Sequence, residues 1–314
     1  VSARYAFLGP EGTFAHAAAR QLLAGRPAEL VPQASVTRAI DAIHDGTVDG
    51  AVVPLENSVE GGVPATLDAL AGEQPLVILA ESYLAVVFDL LARPGRTLAE
   101  LAAAAGLATV ATHPHAEAQV RRYLLATLPD ARVELVGSTA AAARAVADGQ
   151  YDAAVAPAAA AEQYRLASLA HDIADHDGAV TRFVLLGRPQ PPPPPTGNDR
   201  TSLVSYLRTD HAGALLQLLT EFATRGINLT RIESRPTKGR LGQYCFSIDC
   251  EGHLADARVA DALAALHRVC SAVRYLGSYP RADGRQAPVV DGCTDPDFAD
   301  AADWLARIRQ SGTA

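Results

Sequence analysis

The sequence predicts an α/β protein of two similar lobes followed by a smaller ferredoxin-like domain of βαββαβ order, and three observations carry that prediction. An internal repeat aligns Ser35 to Pro54 (SVTRAIDAIHDGTVDGAVVP) without gaps on Ser138 to Pro157 (STAAAARAVADGQYDAAVAP), with nine of 20 positions identical. Arg188 to Asp199 reads RPQPPPPPTGND, and five consecutive prolines continue neither a helix nor a central strand, so a semi-rigid polyproline spacer divides the chain there. Before the spacer, short apolar strands alternate with helical stretches, the pattern of a mostly parallel sheet covered by helices. The boundaries expected are residues 1–188 for the two-lobed domain (one lobe from 1–80 with 179–188, the other from 81–178), 189–199 for the spacer, 200–280 for the smaller domain and 281–314 for a tail.

Taken in order, Tyr5 to Leu8 reads as a strand that runs through Gly9-Pro10-Glu11-Gly12-Thr13-Phe14 into a helix. That turn sets free backbone N–H groups and the Thr13 hydroxyl at a helix N-terminus, where carboxylates bind readily, although a tight turn alone also accounts for its glycines. In each repeat a helix capped by Ser35 or Ser138 ends at Asp-Gly, and an aspartate then precedes a buried strand that a proline stops. The strand Ala51 to Val53 delivers an acid, an amide and a hydroxyl (Glu56, Asn57, Ser58) to a strand's carboxyl end, while Ser138-Thr139 caps the matching helix of the second lobe. Two caps facing each other across a cleft suit a dianion, and such clefts lie at the carboxyl ends of strands.

After the spacer, Thr201 to Leu207 reads as a strand, and the helix from Asp210 carries Leu215, Leu218, Leu219 and Phe222 at i, i+3, i+4 and i+7 before Gly226 ends it. The strand Leu229 to Glu233, a turn at Pro236 to Gly239, the strand Gln243 to Asp249, a helix over Ala255 to His267 and a strand near Val273 to Leu276 complete the βαββαβ order. Asp297 to Arg309 forms a short amphipathic tail helix in which Trp304 is expected to pack.

Composition narrows the function. With 27 basic against 35 acidic side chains, a net charge of −8 and no basic block, the chain lacks the electrostatic footprint of a nucleic-acid or anionic-membrane partner. No apolar run approaches the ~20 residues of a membrane span, and no signal-peptide pattern precedes Tyr5, so a cytoplasmic location is expected. The cysteines Cys245, Cys250, Cys270 and Cys293 form no CxxC pair and read as reduced structural thiols, with no metal site. Lys238, in the turn-like Thr237-Lys238-Gly239, is the sole lysine, which leaves little room for Schiff-base or pyridoxal-phosphate chemistry.

Five motifs in order now identify a family. YAFLGPEGTF at Tyr5 to Phe14, AVVPLENS at Ala51 to Ser58, TRFVLLGR at Thr181 to Arg188, GALL at Gly213 to Leu216 and INLTRIESRP at Ile227 to Pro236 make the chain resemble the monofunctional prephenate dehydratases with a C-terminal ACT regulatory domain, of actinobacterial type. The resemblance implies lobes like those of type 2 periplasmic binding proteins, with substrate between them. It implies conversion of prephenate to phenylpyruvate, carbon dioxide and water in phenylalanine synthesis, with no cofactor, and a monofunctional chain, since the first motif begins almost at the first residue. Orientation and preorganised donors suffice for a reaction driven by aromatisation.

The resemblance further implies that Thr181 is the essential catalytic residue, on a segment that crosses back into the first lobe, and that Thr13, Glu56, Asn57, Ser58, His113, His115, Ser138, Thr139, Arg182 and Phe183 surround the substrate. Thr112-His113-Pro114-His115 stands where many relatives carry Ser-His-Pro-Gln, so His115 replaces a substrate-contacting glutamine; a cap or a solvated side chain is the plainer reading of a lone histidine there. In the ACT part, Gly213, Ala214, Leu215, Asn228, Leu229, Glu233, Ser234 and Arg235 are implied to hold L-phenylalanine between two subunits. A homodimer through ACT domains, and a homotetramer by pairing of dimers, follow from the resemblance. Arogenate dehydratase chemistry and a non-catalytic amino-acid sensor on the same folds stay open as alternatives.

Overall fold

The computed structural model describes residues 2–104, 106–175, 178–209, 211–237 and 244–312. The first lobe opens with strands β1 (Ala3–Leu8), β2 (Ala28–Gln33) and β3 (Gly50–Asn57), joined by helices α1 (Phe14–Leu22) and α2 (Val36–His44), and continues through β4 (Gly61–Gly62), α3 (Pro64–Ala71) and β5 (Val77–Ala85). The second lobe runs β6 (Asp89–Ala92), α4 (Leu98–Ala103), β7 (Thr109–Thr112), α5 (Pro114–Thr127), β8 (Arg132–Leu135), α6 (Thr139–Ala147), β9 (Ala153–Ala156), α7 (Ala158–Tyr164) and β10 (Ala167–Ala170). β11 (Val180–Gly187) then returns to the first sheet, giving strand orders β2-β1-β3-β11-β5, with β4 on β3, and β10-β6-β9-β7-β8. β7 lies parallel between β8 and β9 as β1 does between β2 and β3.

The repeat is a structural repeat, residue by residue. Ser35 accepts the Arg38 N–H at 3.1 Å and Ser138 the Ala141 N–H at 3.0 Å, each satisfying an N–H that the helix start leaves without a partner. Both helices end at an aspartate followed by a glycine of positive φ, Gly46 at 72° and Gly149 at 81°, a conformation that costs a side-chain-bearing residue dearly. The last aspartate of each repeat anchors a neighbouring strand. Asp49 accepts the Arg4 N–H at 2.8 Å and Asp152 the Thr109 N–H at 3.0 Å, so each pins the start of its lobe's central parallel strand.

One expectation needs correction. Pro157 does stop its strand and serves as N-cap of α7, but β3 runs on through Pro54 to Asn57. The ladder with β1 ends at Val52, so the missing N–H of Pro54 falls beyond the last pair on that side, while the Pro54 carbonyl accepts the Thr66 hydroxyl at 2.6 Å. The core of the second lobe gathers Phe88, Leu90, Leu101, Val110, Val120, Leu124 and Val155 under its sheet.

By compactness the chain divides into two units, 1–66 with 82–185 and 67–81 with 186–314. In the latter, β12 (Asp199–Tyr206), α8 (Ala214–Ala223), β13 (Leu229–Pro236), β14 (Tyr244–Glu251), α9 (Ala257–Val269) and β15 (Ala272–Pro280) follow the βαββαβ order, with an antiparallel sheet β13-β14-β12-β15. Leu203, Leu218, Phe222, Ile248 and Leu266 form its core. The buried stripe of α8 is Ala214, Leu218 and Phe222; Leu215, one position round from that stripe, lies at its margin and is 38% exposed. The tail helix α10 (Asp295–Ser311) starts at a Thr294–Asp297 capping box and buries none of its residues, so Trp304, 44% exposed, does not pack as expected. Asp210, Lys238 and Gln243, with the second half of the expected turn, lie outside the described residues. No helix among the described residues is long and apolar enough to cross a membrane.

Candidate active site

The two central strands β1 and β7 each run into the N-terminus of a helix, and the repeat adds a third such end, at α6. Thr13 caps α1, His113 caps α5 and Ser138 caps α6, and all three residues line one cavity of about 290 Å³. Converging N-termini offer free N–H groups and the positive ends of helix dipoles, which suits a substrate with more than one carboxylate. Thr13 uses its hydroxyl locally: it accepts the His16 N–H at 3.2 Å and lies 3.0 Å from the Leu8 and Pro10 carbonyls, so it shapes the loop as well as bordering the cavity. Phe14 and Phe88, edge to face at 5.6 Å between ring centres, supply an apolar wall.

Thr181, 9% exposed near the start of β11, meets the same cavity. Asn57, at the end of β3, donates its side-chain amide to the Thr181 hydroxyl at 2.9 Å. The other end of that amide accepts the N–H groups of Val59 at 2.8 Å and Glu60 at 3.2 Å, which fixes which end of Asn57 is oxygen. Thr181 therefore receives a hydrogen bond and keeps its own proton available.

His115 and Glu60 approach to 3.3 Å at the cavity, both well exposed. The His113 and His115 rings lie 5.0 Å apart, nearly perpendicular. Desolvation lowers the His113 pKa below its ordinary value, with a smaller push in the same direction from His115 that Glu60 opposes. Behind the Gly9–Thr13 turn, α7 acts as a buttress: Gln163 donates to the Glu11 carboxylate at 2.7 Å and the Tyr164 hydroxyl to the Glu11 carbonyl at 2.9 Å.

Of the residues the sequence assigns to substrate, Thr13, Asn57, His113, His115, Ser138, Thr139 and Thr181 border the cavity, whereas Glu56, Ser58, Arg182 and Phe183 do not. Ser58 faces the backbone next to Thr181: its hydroxyl accepts the Val180 N–H at 2.9 Å and its own N–H donates to the Val180 carbonyl at 2.9 Å. Arg182, buried, stands 3.9 Å from Glu56, and Phe183 is 3% exposed in the core. Glu60, Phe14, Phe88 and Gln119 border the cavity although the sequence reading does not single them out. For Glu60 a signal existed, the Asn-x-x-Glu spacing in which the Asn57 side chain folds back on the next backbone N–H groups.

The second unit holds a cavity of its own, about 520 Å³, bordered by Tyr206, Gly213, Ala214, Leu215, Leu216, Thr237, Tyr244 and Phe246. Gly213, Ala214 and Leu215 thus stand where the sequence places an effector. Asn228, Leu229, Glu233, Ser234 and Arg235 do not border it: the Asn228 carbonyl accepts the Glu251 N–H at 3.0 Å, Glu233 sits 3.5 Å from Arg231, and Arg235 reaches Asp68 at 2.6 Å.

A two-lobed α/β domain whose helix ends converge on a threonine-bearing cavity, continued by a βαββαβ domain with a second cavity, defines a small-molecule enzyme joined to a ligand-sensing module. The chain belongs to the prephenate dehydratase family, which matches residues 5–191, with an ACT domain matching residues 202–268. It is 50% identical over 312 residues to the prephenate dehydratase of Amycolatopsis methanolica, with 99% of each chain covered. Among solved structures, the prephenate dehydratase of Arthrobacter aurescens in complex with L-Phe is 47% identical, covers 98% of this chain and 100% of its own, and superposes with a TM-score of 0.89. GqqA, described as a novel type of quorum quenching acylase, is 35% identical with a TM-score of 0.76, over 88% of this chain and 97% of its own. The chain is accordingly a carbon–oxygen lyase with an ACT regulatory domain.

Proposed function

We propose that the cavity bordered by Thr181 is where prephenate loses carbon dioxide and water, and that the observation carrying this assignment is the polarity of the Asn57–Thr181 hydrogen bond. In the reaction the bond to the ring carboxylate breaks, its electron pair enters the ring as carbon dioxide departs, and the C4–O bond breaks on the opposite side of the ring. The departing oxygen must gain one proton to leave as water. Thr181, held as acceptor by Asn57, points its hydroxyl proton at that oxygen; being a weak acid, it acts as a hydrogen-bond donor in the transition state, and the proton itself arrives by way of solvent or a neighbouring acid. The caps at Thr13, His113 and Ser138-Thr139 hold the two carboxylates, and His115 with Glu60 edges the same cavity. Ser58 acts on substrate only through Val180, and Glu56, Arg182 and Phe183 hold β3 and β11 in place.

The ACT cavity binds L-phenylalanine in this reading, with the first turn of α8 at the amino-acid end and Tyr206, Tyr244 and Phe246 toward the ring. The complex of the Arthrobacter relative with L-Phe supports it. A homodimer through the ACT domains, and a tetramer of dimers, complete the effector sites, and the enzyme works in the cytoplasm, where thiols such as Cys245, Cys250 and Cys270 stay reduced.

The test is to incubate the purified chain with prephenate, with and without L-phenylalanine, follow phenylpyruvate by its absorbance in alkali, and run arogenate in parallel. Prephenate turnover that L-phenylalanine suppresses is the expected result. Faster turnover of arogenate would replace the substrate, and no turnover of either by folded protein would overturn the assignment.

A further inference from the structure

The segment Leu67–Glu81 belongs to the dehydratase match in sequence, yet it is part of the compact unit that contains the ACT sheet. It covers most of α3 and the first half of β5, and its Leu67, Leu70, Leu76 and Ile78 are each at most 2% exposed. Its polar ties to the ACT domain run along its whole length. At its start Asp68 accepts Arg235 at 2.6 Å; in its middle the Ala71 carbonyl accepts the Tyr206 hydroxyl at 2.6 Å; at its end Glu81 accepts the Ala282 N–H at 3.0 Å and pairs with Arg200, both side chains being buried.

One of these ties begins at a wall of the effector cavity and a second lies next to it. Tyr206 is itself a wall of that cavity. Thr237, another wall residue, lies two positions beyond Arg235 at the end of β13, and the β14 residues opposite this end, Tyr244 and Phe246, also border the cavity. Arg235 reaches Asp68 through one terminal nitrogen and lies 3.7 Å from Glu233 through the other, while its buried Nε has no hydrogen-bond partner, so a shift of this side chain is not opposed by a full set of bonds.

On both sides the chain continues into residues bonded to the stretches of chain that carry Asn57 and Thr181. Upstream, Thr66 holds the Pro54 carbonyl of β3, three residues before Asn57, the donor to Thr181. Downstream, Val86 lines the active-site cavity and donates to the Ala179 carbonyl at 2.7 Å, two residues before Thr181. A displacement of the segment is therefore delivered by covalent continuity to both strands that hold the catalytic hydrogen bond.

We propose that Leu67–Glu81 is the strap through which the ACT cavity controls the active site, with Tyr206–Ala71 and Arg235–Asp68 as its two effector-side fastenings. The inference rests on the reading of the ACT cavity as an L-phenylalanine site. Coupling of this kind is a difference in free energy between two states, and it can be lost while the effector still binds.

The experiment uses the full chain with Asp68→Asn and, separately, Tyr206→Phe, and measures L-phenylalanine binding by calorimetry alongside kcat/KM with and without saturating effector. For Asp68→Asn the expected result is basal kcat/KM and effector Kd within about threefold of the parent, while the fall in kcat/KM caused by the effector shrinks at least about fivefold, the lower range of allosteric coupling. Tyr206→Phe keeps the ring as a wall but removes the tie to Ala71, so its response is compared at saturating effector whatever its Kd, and that response is expected to shrink by the same factor. An unchanged response in both variants overturns the strap. Loss of effector binding in both places these residues in the binding site itself and overturns it equally. A parent chain that binds no L-phenylalanine would instead sink the effector reading beneath it.

Discussion

Asn57 and Thr181, 124 residues apart, meet through a hydrogen bond whose direction is set from outside the pair: two backbone N–H groups occupy the Asn57 oxygen, so its nitrogen must donate to Thr181. Removing the Thr181 hydroxyl with Thr181→Ala is expected to lower kcat about 10²–10³-fold, the range for loss of one preorganised donor, with the circular dichroism spectrum unchanged. Asn57→Asp is the sharper test. A carboxylate of nearly the same shape accepts from Thr181 instead of donating, turns the hydroxyl proton away from substrate, and should approach the loss seen for Thr181→Ala. Wild-type turnover in Asn57→Asp would mean that the polarity of this bond does not matter.

The family resemblance puts Ser58 against substrate, but its hydroxyl accepts the Val180 N–H next to Thr181. The two roles separate kinetically. If Ser58 held substrate directly, Ser58→Ala would raise KM; as a support for β11, its removal lowers kcat, here by about tenfold, and leaves KM within about threefold. A KM effect alone would restore the direct role.

Burial lowers the pKa of two histidines in the catalytic unit, His16 and His113, desolvation being the largest cause in both; Glu11 opposes it at His16 and Glu60 at His113. Their folded pKa values lie below the unfolded value of 6.5, so the unfolded chain binds more protons as pH drops through and below 6.5. Stability is therefore full above that pH and declines below it until the folded-state values are passed. Protonation also costs His113 its cap, because its Nδ1 accepts the His115 N–H. Urea midpoints measured from pH 8 to pH 5 should fall, and His113→Asn, which retains a capping oxygen, should flatten the fall. An identical pH slope in the variant would remove His113 from the account.

What can be read from the sequence follows the range of the interactions. Caps and turns are local, so Thr13, Ser35 and Ser138 are legible as helix starts, and the repeat exposes the paired aspartates although not the way they pin β1 and β7. Thr181 stands out only through a family motif, since nothing local in Thr-Arg-Phe announces that Asn57 will meet it. Phe88 and Gln119 leave no signal at all, because a cavity wall is made by packing between distant segments. The largest gap is Leu67–Glu81: the sequence reading places nearly all of it in the first lobe, and only interactions such as Asp68 with Arg235, 167 residues away, attach it to the ACT sheet.

That attachment makes Gly277 a sensitive position. β15 carries an irregularity where Ser202 pairs with Gly277 and Leu203 with Tyr275, and Gly277 adopts a φ of 130°, a region open to glycine but strained for any other residue. A Cβ there would also collide with the backbone carbonyl of Ile78 in β5, and a backbone atom cannot swing aside as a flexible side chain can. Strain and collision act together, so Gly277→Ala is expected to destabilise the protein by on the order of 3 kcal/mol, read from urea unfolding. Gly284→Ala supplies the control: its φ is 65° with nothing within 4 Å of an added Cβ, so it bears the conformational cost alone, about 1 kcal/mol. Equal effects at the two glycines would show that backbone conformation accounts for both and that β15 has room to move away from Ile78. A larger loss at Gly277 would show that its φ of 130° and the close approach of Ile78 together demand a glycine at this position.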